Sequence, residues 1–366
     1  MTLERIVLTT GGTGGHIFPA LAVAHELRRR NPDCSIRFLG GSGPERELAT
    51  KNGLEFRELP AHGIMGKGIG GKIQGVMKVL RGIIKARSEL KSFCPEVVAG
   101  FGGYAGFSPV LAAAFSRIPC AVHEQNSVPG VTNRLLGKVA DRIFLSFEDT
   151  TAAFPAAKTM RTGNPVRQEI FSAQKADRCG RNLLILGGSQ GARPINEAIS
   201  AILPELVRAG VSLRHQAGKN EEQSVRTAYE KAGADPNCVR GFMDDMAEAY
   251  AWADLALCRS GASTVFEIAA AGVPAIFVPF PQATHDHQTK NAMAMERMGA
   301  ARLLDQNSIR TELTNTVLGL LDAPETLEAM AAKAVEFSAP SAAADIADEL
   351  ERLAGKRSDE PHKEGL

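Results

Sequence analysis

Residues 6–20 read IVLTTGGTGGHIFPA, and residues 183–194 read LLILGGSQGARP. In both stretches a run of aliphatic residues leads into a glycine-rich turn, which is followed by a segment with the composition of a helix. This pattern is typical of the first βα unit of a doubly wound parallel sheet, in which the turn lies at the carboxyl end of the strand. Two such units in a chain of 366 residues predict an α/β protein with two Rossmann-like domains.

Further short aliphatic runs complete the two predicted sheets. They are residues 35–39, 96–99, 120–123 and 143–146 in the first half, and residues 212–216, 237–240, 255–258 and 275–279 in the second. The turn-rich segment TGNPVR at residues 162–167 indicates a connector between the domains. We therefore expect an N-terminal domain over residues 1–162 and a C-terminal domain over residues 163–340. A final helix over residues 341–354 and a polar tail over residues 355–366 follow.

The composition narrows the classes of function. The chain has 42 basic and 41 acidic side chains, and this balance argues against a general nucleic-acid-binding protein, which needs a basic surplus. The six cysteines form no C-x-x-C pair, so a zinc site or a redox dithiol is not expected. The uncharged stretch over residues 97–116 contains four glycines and a proline. It therefore predicts a strand, a loop and a helix rather than a membrane span.

The charge is distributed unevenly along the chain. Residues 1–160 hold 20 basic and 13 acidic side chains, whereas residues 161–366 hold 22 and 28. Seven of the basic residues lie between residues 67 and 91, among apolar residues at helical spacing and after a glycine-rich loop. This stripe either packs into the domain core or faces an anionic membrane surface. For the second interpretation, the candidate contact residues are Ile64, Met65, Lys72, Ile73, Lys78, Leu80 and Arg81.

The glycine turns indicate phosphate or another anion, because a helix amino terminus presents unpaired N–H groups. A dinucleotide site is not expected, because neither second strand ends in the acidic residue that such a site needs. The segment CRSGASTVFE at residues 258–267 places small residues and hydroxyls at a helix start. Glu267 would lie one turn further along, within reach of a ribose diol. A simple capped helix is the alternative.

A second polar cluster, His123-Glu124-Gln125-Asn126, follows a predicted strand, and His16 ends the first glycine turn. Both lie at the carboxyl edge of the predicted sheet, where ligands bind, and such side chains can deprotonate a hydroxyl. His285 and His287 suggest a metal pair, but alternate positions on an extended segment point to opposite sides. The chain contains no Asp-x-Asp motif, so neither a bound metal nor a cofactor is expected.

Taken together and in order, these motifs closely resemble those of the MurG glycosyltransferases, over nearly the whole chain. The matching stretches are residues 11–24 (GGTGGHIFPALAVA), 123–126 (HEQN), 162–167 (TGNPVR), 187–192 (GGSQGA), 242–246 (FMDDM), 260–280 (SGASTVFEIAAAGVPAIFVPF) and 286–292 (DHQTKNA). One departure is Gly106, which stands where the family's second glycine loop usually has serine, so no hydroxyl role is assigned in that loop.

The resemblance implies a GT-B fold, with two Rossmann-like domains facing a cleft, and transfer of N-acetylglucosamine from UDP-GlcNAc to lipid I. The candidate substrate-binding residues are Thr13, Gly14, Gly15, Asn126, Arg167, Ser189, Met243, Ala262, Ser263, Thr264, Glu267 and Gln288. Ala262, Ser263 and Thr264 would hold the diphosphate, Glu267 the ribose, and the backbone around Met243 the uracil. Gln288 and Asn126 would contact GlcNAc, with Ser189 and Arg167 nearby. Thr13, Gly14 and Gly15 would close over the donor and, with His16, face the acceptor diphosphate.

The resemblance further implies an inverting displacement by the acceptor C4 hydroxyl, on the cytoplasmic face of the bacterial inner membrane. His16 is the first candidate for the general base, and His123 and Glu124 are the alternatives. The final helix would pack back on the first domain. Other cell-wall or division proteins are further candidate partners. Two rival functions share the expected fold: a UDP-GlcNAc 2-epimerase and another lipid glycosyltransferase. A rival from a different class is a non-catalytic nucleotide-binding scaffold.

Overall fold

The computed structural model describes residues 2–60, 69–148, 151–175, 178, 180–188 and 190–358, with the backbone alone for residues 69–76 and 356–358. Contacts divide the chain into two units. The first unit is Met1–Arg167 together with Ala339–Leu366, and the second is Gln168–Ser338. The first unit thus continues five residues beyond the expected boundary at residue 162 and includes the C-terminal segment.

The first unit contains a parallel sheet with the order β3-β2-β1-β4-β5-β6-β7 in the described residues. Its strands are β1 (Arg5–Thr9), β2 (Ser35–Gly40), β3 (Glu55–Glu58), β4 (Val97–Gly100), β5 (Cys120–Glu124), β6 (Arg142–Leu145) and β7 (Thr159–Arg161). Its helices, in chain order, are α1 (Gly14–Arg30), α2 (Glu45–Lys51), α3 (Ile69–Phe93), α4 (Gly103–Phe115) and α5 (Val131–Leu136). Consecutive β1 residues point to opposite faces of the sheet, so Ile6 and Leu8 join one buried cluster and Val7 the other.

The second unit repeats this architecture, with the strand order β10-β9-β8-β11-β12-β13 in the described residues. Its strands are β8 (Asn182–Leu186), β9 (Ser212–Gln216), β10 (Val239–Arg240), β11 (Leu255–Cys258), β12 (Ala275–Phe277) and β13 (Ala301–Leu303). Its helices are α6 (Gln168–Phe171), α7 (Arg193–Arg208), α8 (Glu222–Lys231), α9 (Met246–Trp252), α10 (Ala262–Ala271), α11 (His287–Arg297), α12 (Ile309–Leu321) and α13 (Pro324–Phe337). Each sheet therefore reverses its strand order beside its first strand, where doubly wound folds bind ligands.

The C-terminal helix α14 (Ala342–Ser358) belongs to the first unit and packs against α1. Ile346, Ala347 and Leu350 are fully buried in the same cluster as Ile6 and Leu8. At the helix surface Arg30 donates to Asp348 at 2.5 Å. Of the expected polar tail, residues 355–358 continue α14, and residues 359–366 lie outside the described residues.

Candidate active site

In the first unit, two glycine loops lie in contact at the carboxyl edge of the sheet. Neighbouring strands β1 and β4 lead into them, and helices α1 and α4 begin directly after them. A Cβ added to Gly103 would lie 2.0 Å from the carbonyl oxygen of Gly11, and Gly103 has a φ of +74°. Only glycine satisfies both the close approach and the backbone angle. The two helix amino termini consequently lie at the same edge of the sheet, an arrangement that favours an anion.

His16 lies in the first turn of α1, where its N–H donates to the carbonyl of Thr13 at 3.0 Å. The Thr13 side chain itself makes no capping hydrogen bond and is exposed, and Gly14 and Gly15 are half-buried. The imidazole of His16 is half-buried, and its Nδ1 lies 3.1 Å from Oε1 of Gln125. The structure therefore brings the first glycine turn and the residues that follow β5 together.

His123, the last residue but one of β5, is only 1% exposed. Its Nε2 lies 3.2 Å from the carbonyl oxygen of Gly163 and 3.4 Å from Oγ of Ser146. The ring also packs against Phe101, with the two ring centroids 5.5 Å apart. Burial lowers the pKa of His123 to about 4, so the side chain is neutral at pH 7. An imidazole in these surroundings stabilises the fold of the strand ends.

The carboxylate of Glu124 is also buried and holds the loop that leads to α5. Oε1 accepts from the N–H of Asn126 at 3.0 Å. Oε2 accepts from the N–H of Gly130 at 3.0 Å and from Nδ2 of Asn133 at 2.9 Å. Both oxygens are thus occupied within the unit, and the contacts position Asn126, which is half-buried.

Arg167 is the last residue of the Met1–Arg167 segment of the first unit. Its guanidinium carbon lies 4.7 Å from the centroid of the Phe18 ring, which follows His16 by two residues on α1. A cation over an aromatic face is an attractive contact. It fixes Arg167 beside the start of α1.

In the second unit, α10 begins after Gly261, which has an extended conformation and provides no side-chain cap. The N-cap residue therefore contributes no side chain to the first-turn N–H groups. Ser263, Thr264 and Glu267 are each half-exposed, whereas Ala262 is buried. Glu267 is four residues after Ser263 and three after Thr264, so the three side chains share one face of the helix. This face combines helix-end amides, two hydroxyls and one carboxylate, which suits a phosphate joined to a diol.

Two contacts hold the flanks of this helix start. The Tyr250 hydroxyl donates to Oε2 of Glu267 at 3.1 Å and so orients the carboxylate. Ser260 is fully buried and its Oγ donates to the carbonyl oxygen of Gln288 at 2.9 Å. The side-chain oxygen of Gln288 in turn accepts from the N–H of Phe280 at 3.0 Å. Gln288 therefore lies beside the start of α10 with its amide orientation fixed.

The segment that contains Met243 is anchored to the end of β9. The N–H of Met243 donates to Oε1 of Gln216 at 3.1 Å, and both residues are buried. The preceding residue, His215, is fully buried between the Tyr229 hydroxyl and Oδ1 of Asn196, each at 3.0 Å. Burial lowers the pKa of His215 to about 3, so this network contains a neutral imidazole.

Near Gln288, the segment Thr284–Asp286 forms a turn of 3₁₀ helix. The expectation of an extended segment at His285 and His287 is therefore wrong. Both His285 and Asp286 have a φ near +55°, which is strained for residues other than glycine. Oδ1 of Asp286 accepts from the Thr289 hydroxyl at 2.6 Å, a contact that fixes the start of α11. In the described residues, no group of three His, Cys, Asp or Glu side chains is arranged to hold a metal ion.

The basic helix of the sequence corresponds to α3, and its apolar stripe does not all face the core. Met77, Leu80 and Ile84 are 49%, 50% and 70% exposed, at three- and four-residue spacing. Arg81 is also exposed and Lys78 is half-exposed. The opposite face, with Ala86 and Leu90, is buried in the hydrophobic cluster that contains Val110 of α4, the helix against which α3 packs. The described part of α3 therefore presents an apolar and basic surface, which we call the α3 surface (Met77, Lys78, Leu80, Arg81 and Ile84).

Several predicted contact or binding residues are in parts of the chain that the structure does not describe. Ile64, Met65 and Ser189 lie outside the described residues, and the side chains of Lys72 and Ile73 are not described. Within the described parts of the chain, the helices do not reach the combination of length and apolar composition that crossing a membrane requires.

In the sequence, Gln125 belongs to the candidate polar cluster at residues 123–126, whereas Gln216, Asn133 and Tyr250 were not expected at the site. The side chain of each of these four residues makes a hydrogen bond to a candidate site residue. The position that indicates Gln125 also indicates Gln216, because each residue ends or directly follows a strand at the carboxyl edge of its sheet. Their partners, however, follow from the three-dimensional contacts.

Comparisons with known proteins identify both halves of the chain. Residues 6–145 match the glycosyltransferase family 28 N-terminal domain, and residues 182–350 match the glycosyltransferase family 28 C-terminal domain. A protein from Solidesulfovibrio magneticus is 49% identical over 98% of this chain and 100% of its own length. A protein from Nitratidesulfovibrio vulgaris is 49% identical over 96% of this chain and 98% of its own length. Both are named UDP-N-acetylglucosamine--N-acetylmuramyl-(pentapeptide) pyrophosphoryl-undecaprenol N-acetylglucosamine transferase.

Solved structures agree with this grouping. The crystal structure of Acinetobacter baumannii MurG superposes with a TM-score of 0.75 at 34% identity, covering 95% of this chain and 99% of that one. The expected GT-B fold of two parallel-sheet domains is confirmed. A UDP-GlcNAc 2-epimerase from Neisseria meningitidis, covering 95% of this chain and 100% of its own, has a TM-score of 0.66. It is only 15% identical and so shows the shared fold alone. The chain belongs to the MurG family of glycosyltransferases.

Proposed function

We propose that this chain transfers N-acetylglucosamine from UDP-GlcNAc to the C4 hydroxyl of N-acetylmuramic acid in lipid I, forming lipid II for peptidoglycan synthesis. The observation that carries the proposal is 49% identity, over nearly the full length, to relatives named for this transfer. The 2-epimerase alternative rests on a 15% identical structure, and no observation favours it over transfer.

The second unit would hold the donor. The start of α10 offers first-turn amides from Ala262 onward, and the hydroxyls of Ser263 and Thr264 lie beside them, so this helix end suits the diphosphate. Glu267 would accept hydrogen bonds from the ribose hydroxyls, one turn along the same face. The Tyr250 contact supports this role, because it limits the directions in which the carboxylate can turn. The backbone around Met243 would contact the uracil, and Gln288 and Ser189 the sugar.

The first unit would hold the acceptor. The amino termini of α1 and α4 lie at one edge of the sheet, and an acceptor diphosphate there would be stabilised by both. Thr13, Gly14 and Gly15 line the start of α1 without a charged side chain that would repel it. Asn126 would contact the transferred sugar, and Arg167 would add a positive charge beside α1.

Transfer needs a base for the proton of the attacking hydroxyl. His16 suits this role better than His123 or Glu124, because its imidazole is half-buried whereas the other two side chains are buried among internal partners. The proton would pass from the C4 hydroxyl to His16 as the oxygen attacks the anomeric carbon and UDP leaves with the bonding electron pair. The helix-end amides of α10 would stabilise the charge that develops on the diphosphate. Inversion at the anomeric carbon follows from this single displacement.

We also propose that the protein is peripheral, on the cytoplasmic face of the inner membrane, and that the α3 surface touches the lipid. Exposed Leu80 and Ile84 would enter the headgroup region, while Lys78 and Arg81 attract anionic lipid. Ile64, Met65, Lys72 and Ile73 precede this surface in the chain and are proposed to extend it.

Turnover of labelled UDP-GlcNAc with a lipid I analogue tests the proposal. The wild-type protein is expected to move the label to the acceptor. A 2-epimerase would instead make UDP-ManNAc without an acceptor, and a scaffold would make no product. The His16→Ala variant should lower kcat by about 10²- to 10⁴-fold, whereas His25→Ala, an exposed histidine on the same helix, should not.

The donor site has its own test. Glu267→Ala should raise the KM for UDP-GlcNAc by about 10- to 100-fold, because it removes hydrogen bonds to a charged acceptor worth about 1.5–3 kcal/mol. Glu230→Ala, at an exposed position of α8, is the matched control and should leave the KM unchanged. An unchanged KM in both variants would refute the ribose assignment.

A further inference from the structure

The side chain of Gln125 forms a bridge between a strand end and the imidazole of His16. Gln125 is 1% exposed and directly follows β5. Its Nε2 donates to the carbonyl oxygen of Phe101 at 2.8 Å, and its Oε1 lies 3.1 Å from Nδ1 of His16. A buried amide with both ends engaged has one orientation.

That orientation is determined by Phe101. A carbonyl oxygen only accepts hydrogen bonds, so the nitrogen end of the Gln125 amide must face it. The position of the carbonyl is itself fixed, since the N–H of Phe101 donates to the carbonyl of Thr9 at 2.8 Å. The oxygen end of the amide must therefore face His16.

The oxygen of an amide accepts but does not donate, so Nδ1 of His16 must carry the hydrogen of this contact. In the neutral imidazole, the lone pair then lies on Nε2. We infer that Gln125 is a positioning residue that holds His16 in the Nδ1–H tautomer, so that Nε2 is the nitrogen that takes the proton of the acceptor hydroxyl. This inference rests on the proposed function for the proton transfer, but the tautomer follows from the contacts alone.

Gly102 makes room for this bridge. A Cβ added there would lie 3.0 Å from Nδ1 of His16 and 3.2 Å from Oε1 of Gln125, the two atoms that form the hydrogen bond. Gly102 also has a φ of +81°, which a residue with a side chain rarely adopts. The second glycine loop thus has a role that involves no hydroxyl: it lets the histidine and the glutamine meet.

His123 provides a contrast within the same unit. Its Nε2 faces the carbonyl oxygen of Gly163, so this histidine must carry its hydrogen on Nε2. The two histidines at this edge of the sheet therefore have opposite tautomers: His16 carries its hydrogen on Nδ1, and His123 carries its hydrogen on Nε2.

Long-range ¹H–¹⁵N correlation spectra of protein labelled with ¹⁵N-histidine, recorded on the neutral form, distinguish the two tautomers. The wild-type spectrum should show His16 as Nδ1–H and His123 as Nε2–H, with each signal assigned by its loss in His16→Asn or His123→Asn. The Gln125→Glu variant, protonated at its buried site, donates its O–H to the Phe101 carbonyl and keeps an acceptor oxygen for Nδ1, so it should keep the His16 tautomer. The Gln125→Leu variant has a similar size without an acceptor, and should move His16 toward Nε2–H. In that variant the Phe101 carbonyl still accepts from the Thr10 hydroxyl.

Steady-state kinetics of the same Gln125 variants test whether the tautomer of His16 affects turnover. Gln125→Leu should lower kcat by about 10- to 100-fold with an unchanged KM for UDP-GlcNAc, and Gln125→Glu should restore most of it. Wild-type His16 in the Nε2–H form, or Gln125→Leu with an unchanged tautomer, would overturn the inference whatever the activity. Equal kcat values for Gln125→Leu and wild type would overturn its catalytic consequence. Near-native turnover of His16→Ala with the expected tautomers would instead overturn the base assignment of the proposed function.

Discussion

The α3 surface supports a quantitative prediction for membrane binding. Met77 and Leu80 are about half exposed and Ile84 is 70% exposed, so their replacement by serine removes apolar surface that does not contribute to the core. Full burial of such a side chain is worth about 1.5–3 kcal/mol. Insertion of the exposed parts would therefore contribute about 1 kcal/mol for each of Met77 and Leu80 and somewhat more for Ile84. The triple variant should lose about 3 kcal/mol, which is roughly a hundredfold weaker partitioning.

Sedimentation with vesicles that contain anionic lipid measures this partitioning directly. The triple serine variant should bind about a hundredfold more weakly, and its residual binding should fall further with added salt, because Lys78 and Arg81 still attract the headgroups. The unfolding midpoint should change little, since exposed side chains contribute little to folding. Val207→Ser, on α7 of the second unit, is a control at a 40% exposed apolar position and should bind as wild type.

Two results would contradict contact between the α3 surface and the membrane. If the triple serine variant binds vesicles as tightly as the Val207→Ser control does, the α3 surface does not enter the membrane. If reversing the charges of Lys72, Lys78 and Arg81 to glutamate leaves binding to anionic vesicles unchanged, the basic residues do not attract the lipid.

The remaining predictions concern the fold around the site. Gly103→Ala should destabilise the protein by more than about 2 kcal/mol in thermal or urea unfolding, because its Cβ would overlap the Gly11 carbonyl. Gly106→Ala is the matched control inside α4, where the nearest atom to the new Cβ is 3.6 Å away; it should be neutral or stabilising by up to about 1 kcal/mol, and equal losses in both would contradict the argument. His123 and His215 have pKa values of about 4 and 3, so below about pH 6.5 the unfolded chain binds protons that the folded chain does not. Lowering the pH from 7 to 5 should cost about 2 kcal/mol per histidine, and NMR signals of either ring that shift in this range would contradict the assignment. Arg178 is 1% exposed and donates to the carbonyl oxygens of Ala253 and Ala271. Replacing it with methionine removes these hydrogen bonds and should lower the free energy of unfolding by about 3 kcal/mol. An unchanged urea midpoint would show that the two hydrogen bonds do not stabilise the protein.

The sequence was informative where strands are buried on both sides. Short, continuous aliphatic runs such as residues 183–186 and 255–258 predict buried strands, and both form strands at the expected positions. The strands that were missed are β3, β7 and β13, all at sheet edges. They are three or four residues long, and β3 reads EFRE. An edge strand faces solvent on one side and often carries charge, so its composition resembles that of a loop.

For the candidate site, the sequence predicted the binding residues but not the long-range hydrogen bonds that position them. Motif order identified the family, and helix periodicity placed Glu267 on the face of Ser263 and Thr264. Periodicity could not decide whether the stripe of α3 is buried, because a core face and a lipid face have the same spacing. The bonds from Gln125 to His16 and from Gln216 to Met243 join residues that are 109 and 27 positions apart. Such contacts depend on where the strands of one sheet end relative to each other, which no local sequence pattern encodes.

We expect the chain to perform one inverting transfer from UDP-GlcNAc to lipid I. The most direct measurement is the NMR structure of the product formed from a lipid I analogue, together with the amount of UDP released. The expected product has a single new N-acetylglucosamine, β-linked to C4 of the acceptor sugar, and one UDP is released for each linkage. An α linkage, attachment at another hydroxyl, or release of UDP without the acceptor would contradict it.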